Sequence, residues 1–163
     1  MILVTLGTQD KPFERLIRAV EKQIDNGNIT DEVVVQAGST KYKSDKMKIV
    51  DYFPIEEFDD IINKASIIIS HAGVGSIITA LKNNKKVIAA ARLKMYGEHV
   101  NDHQKQILEN FSQNGYILKL DDFDKLDEVL LQLKDFQPRE YKSNTENFVK
   151  NVKREISLLL NVN

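Results

Sequence analysis

The chain has 163 residues, 42% of them apolar, with 7 Gly and 3 Pro, which fits one globular domain able to bury a core. Lys and Arg number 23 against 24 Asp and Glu, for a net charge of -1, so a nucleic-acid binder working by broad phosphate neutralisation is disfavoured. Cysteine is absent, which excludes disulfides, thiolate metal sites and cysteine nucleophiles.

Ile2-Leu3-Val4 opens the chain with no basic segment ahead of it and reads as a strand, not a secretory leader. The strands predicted from β-branched and aliphatic runs are Ile2–Leu6, Glu32–Gln36, Lys48–Tyr52, Ser66–Ser70, Lys86–Ala90 and Tyr116–Lys119. Helical spacing fills the intervals: Phe13–Gln23, then Ile55–Lys64 behind the helix-starting Pro54, then faces at Ile77-Ile78-Leu81, Ile107-Leu108-Phe111 and Leu126-Val129-Leu130-Leu133. Alternating strands and helices predict an α/β fold, a three-layer Rossmann-like domain with a mainly parallel six-stranded sheet. Gln137-Pro138-Arg139 marks a boundary. It divides an α/β domain of residues 1–137 from residues 138–163, where a last helix of about Asn144–Leu160 aligns Phe148, Val152, Ile156 and Leu159 for packing on the domain or a partner. The longest apolar runs are strand-sized, short of the roughly 20 residues of a membrane-spanning helix, so the expected setting is cytoplasmic.

Ligands of open parallel sheets gather at the carboxyl ends of strands, and three turns there are unusual. Thr5-Leu6-Gly7-Thr8-Gln9-Asp10 offers a tight glycine turn and hydrogen-bond donors before a helix, suited to a phosphate or sugar hydroxyl. It lacks both the dinucleotide and the P-loop glycine patterns. Ser70-His71-Ala72-Gly73-Val74-Gly75-Ser76 places two glycines at a helix start, where main-chain amides of Ala72 to Ser76 and the helix dipole favour an anion. Ser76 adds a hydroxyl there, and His71 a donor to a phosphate oxygen. The long polar stretch from Arg92 to Gln104 holds His99 and His103 four residues apart without a third metal ligand, so no metal is expected; Asn101 or Asp102 also suits a helix cap.

These segments together resemble the donor-binding half of the two-lobed (GT-B) nucleotide-sugar glycosyltransferases, the family that includes MurG. Val4-Thr5-Leu6-Gly7-Thr8, Ser70 to Ser76, Gly97-Glu98-His99-Val100-Asn101-Asp102-His103-Gln104 and Gly115-Tyr116 carry the resemblance, in order, over residues 1 to about 120. Small stand-alone versions of that half are similar: PssE-type and EpsF-type subunits of exopolysaccharide and capsule synthesis, and the catalytic subunit of the bipartite dolichol-pathway N-acetylglucosaminyltransferase. The resemblance implies a UDP-sugar as substrate and no cofactor. It implies that Gly7, Thr8 and Gln9 line the donor cleft and that His71, Gly73, Val74, Gly75 and Ser76 hold the diphosphate. It also implies that Asn101, Asp102 and Gln104 face the sugar. Thr79 stands where MurG-like relatives carry a ribose-binding Glu. His71, Glu98, His99 and His103 are the candidate catalytic groups, with Asp10 a further carboxylate near the cleft.

A two-lobed enzyme needs two such domains and this chain supplies one; the resemblance implies a separate membrane-anchored partner subunit that binds a polyisoprenyl-diphosphate-linked sugar, with this chain peripheral at the inner face of the membrane. Self-association is a further expectation; nucleic acid is not. Galactose is slightly favoured over glucose and N-acetylglucosamine through the exopolysaccharide subunits. Two other classes compete: a flavodoxin-like FMN module, for which no aromatic pair suited to a flavin is seen after the middle strands, and a non-catalytic enhancer subunit.

Overall fold

Strands with no polar face are stable only where both sides are covered, and that requirement sets the architecture. The computed structural model describes residues 1–142. Its strands are β1 (Ile2–Thr5), β2 (Val33–Gln36), β3 (Lys48–Val50), β4 (Ile67–His71), β5 (Lys86–Ala90) and β6 (Leu118–Lys119). They form one sheet of order β3-β2-β1-β4-β5-β6, with every neighbouring pair parallel. The helices are α1 (Glu14–Asp25), α2 (Ile55–Lys64), α3 (Val74–Lys82), α4 (His103–Gln113) and α5 (Leu126–Asp135).

Alternation along each strand divides the core into two layers. Val4 and Ile69 face Leu16, Ile17 and Val20 of α1 and Leu126 and Leu133 of α5. Their neighbours Leu3 and Ile68 face Ile62, Ile77, Leu81 and Leu108 of α2, α3 and α4. The three-layer α/β fold is therefore as expected. Several boundaries move. The first strand stops at Thr5, the third at Val50, and the sixth keeps only Leu118–Lys119, while the fourth extends through His71 because it pairs with Ala90.

Residues 138–142 stay on the body. Arg139 N–H donates to Gly115 O at 2.9 Å, and the Tyr141 ring meets Tyr116 edge-on at 5.5 Å. The helix expected at Asn144–Leu160 lies outside the described residues. Among those described, no helix is long and apolar enough to cross a membrane.

Candidate functional site

The sheet order reverses direction between β1 and β4, whose connections leave toward opposite edges; their carboxyl ends, with Thr5 paired to Ser70, open a crevice. A cavity of about 410 Å³ occupies it. Thr5 and His71 form its floor, Gly7 and Thr8 one rim, Gly73, Gly75 and Ser76 another, and Tyr52, Phe53, Ile55 and Phe58 an apolar wall. A larger cavity of about 930 Å³ lies at the amino ends of the strands, bordered by Asn28, Asp31, Lys86 and Leu131. There the Lys86 ammonium is already bound to the Leu133 and Lys134 carbonyls, at 2.8 and 3.0 Å. The smaller cavity is the candidate, because it sits at the switch point and presents uncommitted donors.

Those donors begin with α3. Among the described residues no side chain caps its amino end, and its first-turn N–H groups, those of Val74, Gly75 and Ser76, lie ahead of the carbonyls of the helix ladder. The expected five-amide cradle shrinks to these three: Ala72 N–H donates to Ala90 O at 3.0 Å and Gly73 N–H to His71 O at 2.7 Å. The helix dipole adds to the attraction for an anion.

His71 is 8% exposed. Its Nδ1 lies 3.3 Å from Thr5 O; a carbonyl only accepts, so Nδ1 carries the proton. Two glycines make room for the ring: a Cβ on Gly7 would stand 2.5 Å from Nε2, and one on Gly73 closer still. Gly7 also adopts φ +76°, which L side chains rarely tolerate. Burial, the largest cause, pushes the imidazole pKa down to about 4; Arg92 and His99 lower it further and the Thr5 bond opposes them. The neutral ring thus presents a bare Nε2, and the expected donation from His71 to a phosphate oxygen does not occur from this state.

The unfolded chain binds this proton near the ordinary value of 6.5 and the folded chain only near 4. Stability is therefore fully present above about pH 6.5 and falls as pH drops through the interval. Thermal or urea unfolding from pH 7 to 4 should reveal a loss of about 3 kcal/mol assignable to His71. The same loss in a His71→Asn variant would contradict it.

The stretch after β5 is built differently from the expectation. Glu98, 4% exposed, receives Arg15 Nε and Nη2 at 2.6 and 2.7 Å and Leu93 N–H at 3.0 Å. The Arg15 guanidinium is itself stacked 4.0 Å from the Tyr96 ring centre and 4.2 Å from that of Phe123. This carboxylate is a structural anchor, not a free base. Gln104 is buried, with Oε1 accepting Arg92 N–H at 3.0 Å, and Asp102 accepts Lys94 N–H at 2.9 Å. Asn101 Oδ1 accepts His103 N–H, from the first residue of α4, at 3.1 Å. The acceptor atoms expected to face a sugar hold the loop instead. His103 contacts Gln106, and the Thr79 hydroxyl bonds back to Gly75 O at 2.9 Å. Neither residue borders the cavity, nor does Asp10.

His99 reaches the first turn, with Nε2 3.2 Å from the Gln9 amide. Asn101 N–H donates to its Nδ1 at 3.2 Å. Among the described residues no group of three His, Asp or Glu is placed to hold a metal ion.

Of the expected residues, the structure brings together Gly7, Thr8, His71, Gly73, Gly75 and Ser76. Sequence reasoning missed Tyr52, Phe53, Ile55, Phe58 and Asp59, which also line the cavity. Their signal lies in the sequence: they follow the third strand and flank Pro54. Gln36 Oε1 accepts Phe53 N–H at 3.1 Å and fixes that turn. The Thr5 hydroxyl, on the cavity floor, is buried with no hydrogen-bond partner among the described residues.

Residues 1–159 match the glycosyltransferase family 28 C-terminal domain. Among curated proteins, the chain is 28% identical over 108 residues to the UDP-N-acetylglucosamine transferase subunit ALG13 of Debaryomyces hansenii, covering 66% of this chain and 48% of that protein. It is 34% identical over 91 residues to ALG13 of Candida glabrata, covering 55% of this chain and 42% of that protein. The chain thus spans about half the length of the curated relatives it matches. The solution structure of ALG13 superposes with a TM-score of 0.54 at 20% identity, over 89% of this chain and 91% of that one. Spinosyn forosaminyltransferase SpnP gives 0.57 at 17% identity, over 82% of this chain and 34% of that one. At these identities the two structures support the fold.

Proposed function

Because this chain belongs to the glycosyltransferase family 28 C-terminal domain family, we propose that it is the donor-binding subunit of a two-part, inverting glycosyltransferase that takes its sugar from a UDP-sugar. The observation that carries the reading is the switch-point cavity, where three free helix amides and the His71 ring stand opposite an apolar wall. The amides suit a diphosphate and the wall formed by Phe53, Ile55 and Phe58 suits a nucleobase.

In the reaction, an acceptor hydroxyl oxygen attacks the anomeric carbon and the bond to the diphosphate breaks. The electron pair passes to the leaving phosphate oxygen. The first-turn amides of α3 stabilise that oxyanion without a divalent cation. The acceptor proton needs a base; among the candidates Glu98 is bound to Arg15, and none of His99, His103 and Asp10 lines the cavity. We assign the base to the acceptor-binding partner, a membrane-anchored subunit that presents a lipid-linked sugar. The names of the curated relatives favour N-acetylglucosamine as the sugar.

The purified chain should bind UDP-N-acetylglucosamine in the presence of EDTA yet transfer nothing to a polyisoprenyl-diphosphate sugar. Transfer should appear when the membrane subunit is added. Full-rate transfer by the chain alone would overturn the two-part reading, and absence of UDP-sugar binding would overturn the donor role.

A further inference from the structure

We propose that His71 holds the donor's diphosphate as a doubly protonated imidazolium, formed by proton uptake at Nε2 when the anion enters the cavity. The inference rests on the donor-binding reading above and adds the protonation chemistry of that site. It begins with the bond from Nδ1 to Thr5 O. A neutral imidazole has one N–H, and the carbonyl takes it, so Nε2 is a lone pair directed between Gly7 and Gly73. A phosphate oxygen is also only an acceptor. Two acceptors facing each other repel, and the complex needs a proton between them.

Exchanging the two nitrogens by turning the ring would strip Thr5 O of its donor in a buried place, and the glycine walls supply no side chain to replace it. Adding a proton at Nε2 keeps the Thr5 bond and creates a charge-assisted bond to the phosphate. The groups around the ring account for its neutrality beforehand. Arg92 approaches from the end of β5 and His99 from the following loop, and both oppose a positive charge there. Asp59 of α2 and Tyr52 of the turn before it share the cavity. Burial opposes the charge more strongly and holds the free ring near a pKa of about 4. A doubly negative diphosphate beside Nε2 reverses that balance. The proton comes from solvent, and no covalent bond to the ligand is made or broken.

The test uses the full chain with isotopically labelled histidine, of which there are 3 to assign. Nitrogen shifts near neutral pH should give His71 protonated at Nδ1 and bare at Nε2 in the free protein. With saturating UDP-N-acetylglucosamine both nitrogens should be protonated. A UDP-sugar is the probe because the terminal phosphate of free UDP itself titrates near pH 6. Calorimetry at about pH 6 in buffers of different ionisation heat should register uptake of about one proton per ligand, with affinity falling about tenfold per pH unit between the free and bound pKa values. An Nε2 proton in the free protein, a bare Nε2 in the complex, or binding without proton uptake would each overturn the inference while leaving the donor-binding reading intact. Failure of UDP-glucose, UDP-galactose and UDP-N-acetylglucosamine alike to bind would overturn both.

Discussion

Replacing Gly73 with alanine is expected to remove donor binding while the fold survives. The backbone there has φ -83° and ψ 122°, which alanine adopts readily. The obstacle is the side chain, because its Cβ would overlap the His71 ring, whose three nearest atoms all crowd that position. The ring must leave Thr5 O or push α3 outward, and either movement breaks the alignment of Nε2 with the free amides of Val74, Gly75 and Ser76. Overpacking of this kind costs about 1–3 kcal/mol of stability. The loss of an aligned oxyanion site costs on the order of a hundredfold or more in kcat/KM. Calorimetry with UDP-N-acetylglucosamine and circular dichroism check the two halves. Wild-type affinity in a folded Gly73→Ala protein would separate the ring from the ligand.

The second large effect is expected at Arg92. Its side chain is 1% exposed and runs from the end of β5 to the turn after β1, where the guanidinium donates to Leu6 O and Lys11 O. The Phe13 ring centre lies 5.3 Å from its charge. This residue ties the glycine turn carrying Gly7 and Thr8 to the loop that Glu98 anchors on Arg15. Arg92→Met would leave two carbonyls unpaired at a cost of about 3 kcal/mol. The melting temperature should fall by about 10 °C. Arg92→Lys should recover only part of it, because a point charge cannot span both acceptors. In the folded fraction the donor KM should rise, since Gly7 and Thr8 lose their brace. An unchanged melting temperature in Arg92→Met would show that the turn holds itself.

Much of this molecule was legible in the residues alone, for identifiable reasons. Runs such as Ile67-Ile68-Ile69 carry no polar face, so their double-sided burial and parallel pairing follow directly. Gly7, Gly73 and Gly75 stand at carboxyl ends of strands, where chemistry gathers in such sheets, and they do line the cavity. The polar loop after β5 was misjudged. Composition shows that Glu98, Asp102 and Gln104 have acceptor atoms, but not that Arg15, Lys94 N–H and Arg92 N–H take them first. Those partners lie up to 83 residues away in sequence, and only packing brings them together. The apolar wall escaped for a different reason. Tyr52 looks like the tail of a strand, with Phe53 just beyond it, until the ladder is seen to end at Val50.

Donor binding turns on where a diphosphate docks. Titrating the amide-labelled chain with UDP-N-acetylglucosamine and following backbone N–H shifts tests this directly. The largest changes are expected at Val74, Gly75 and Ser76, with Gly7 and Phe53 following. Saturable shifts confined to Asn28, Asp31 and Leu131 at the opposite end of the sheet, with the amino end of α3 unmoved, would contradict it.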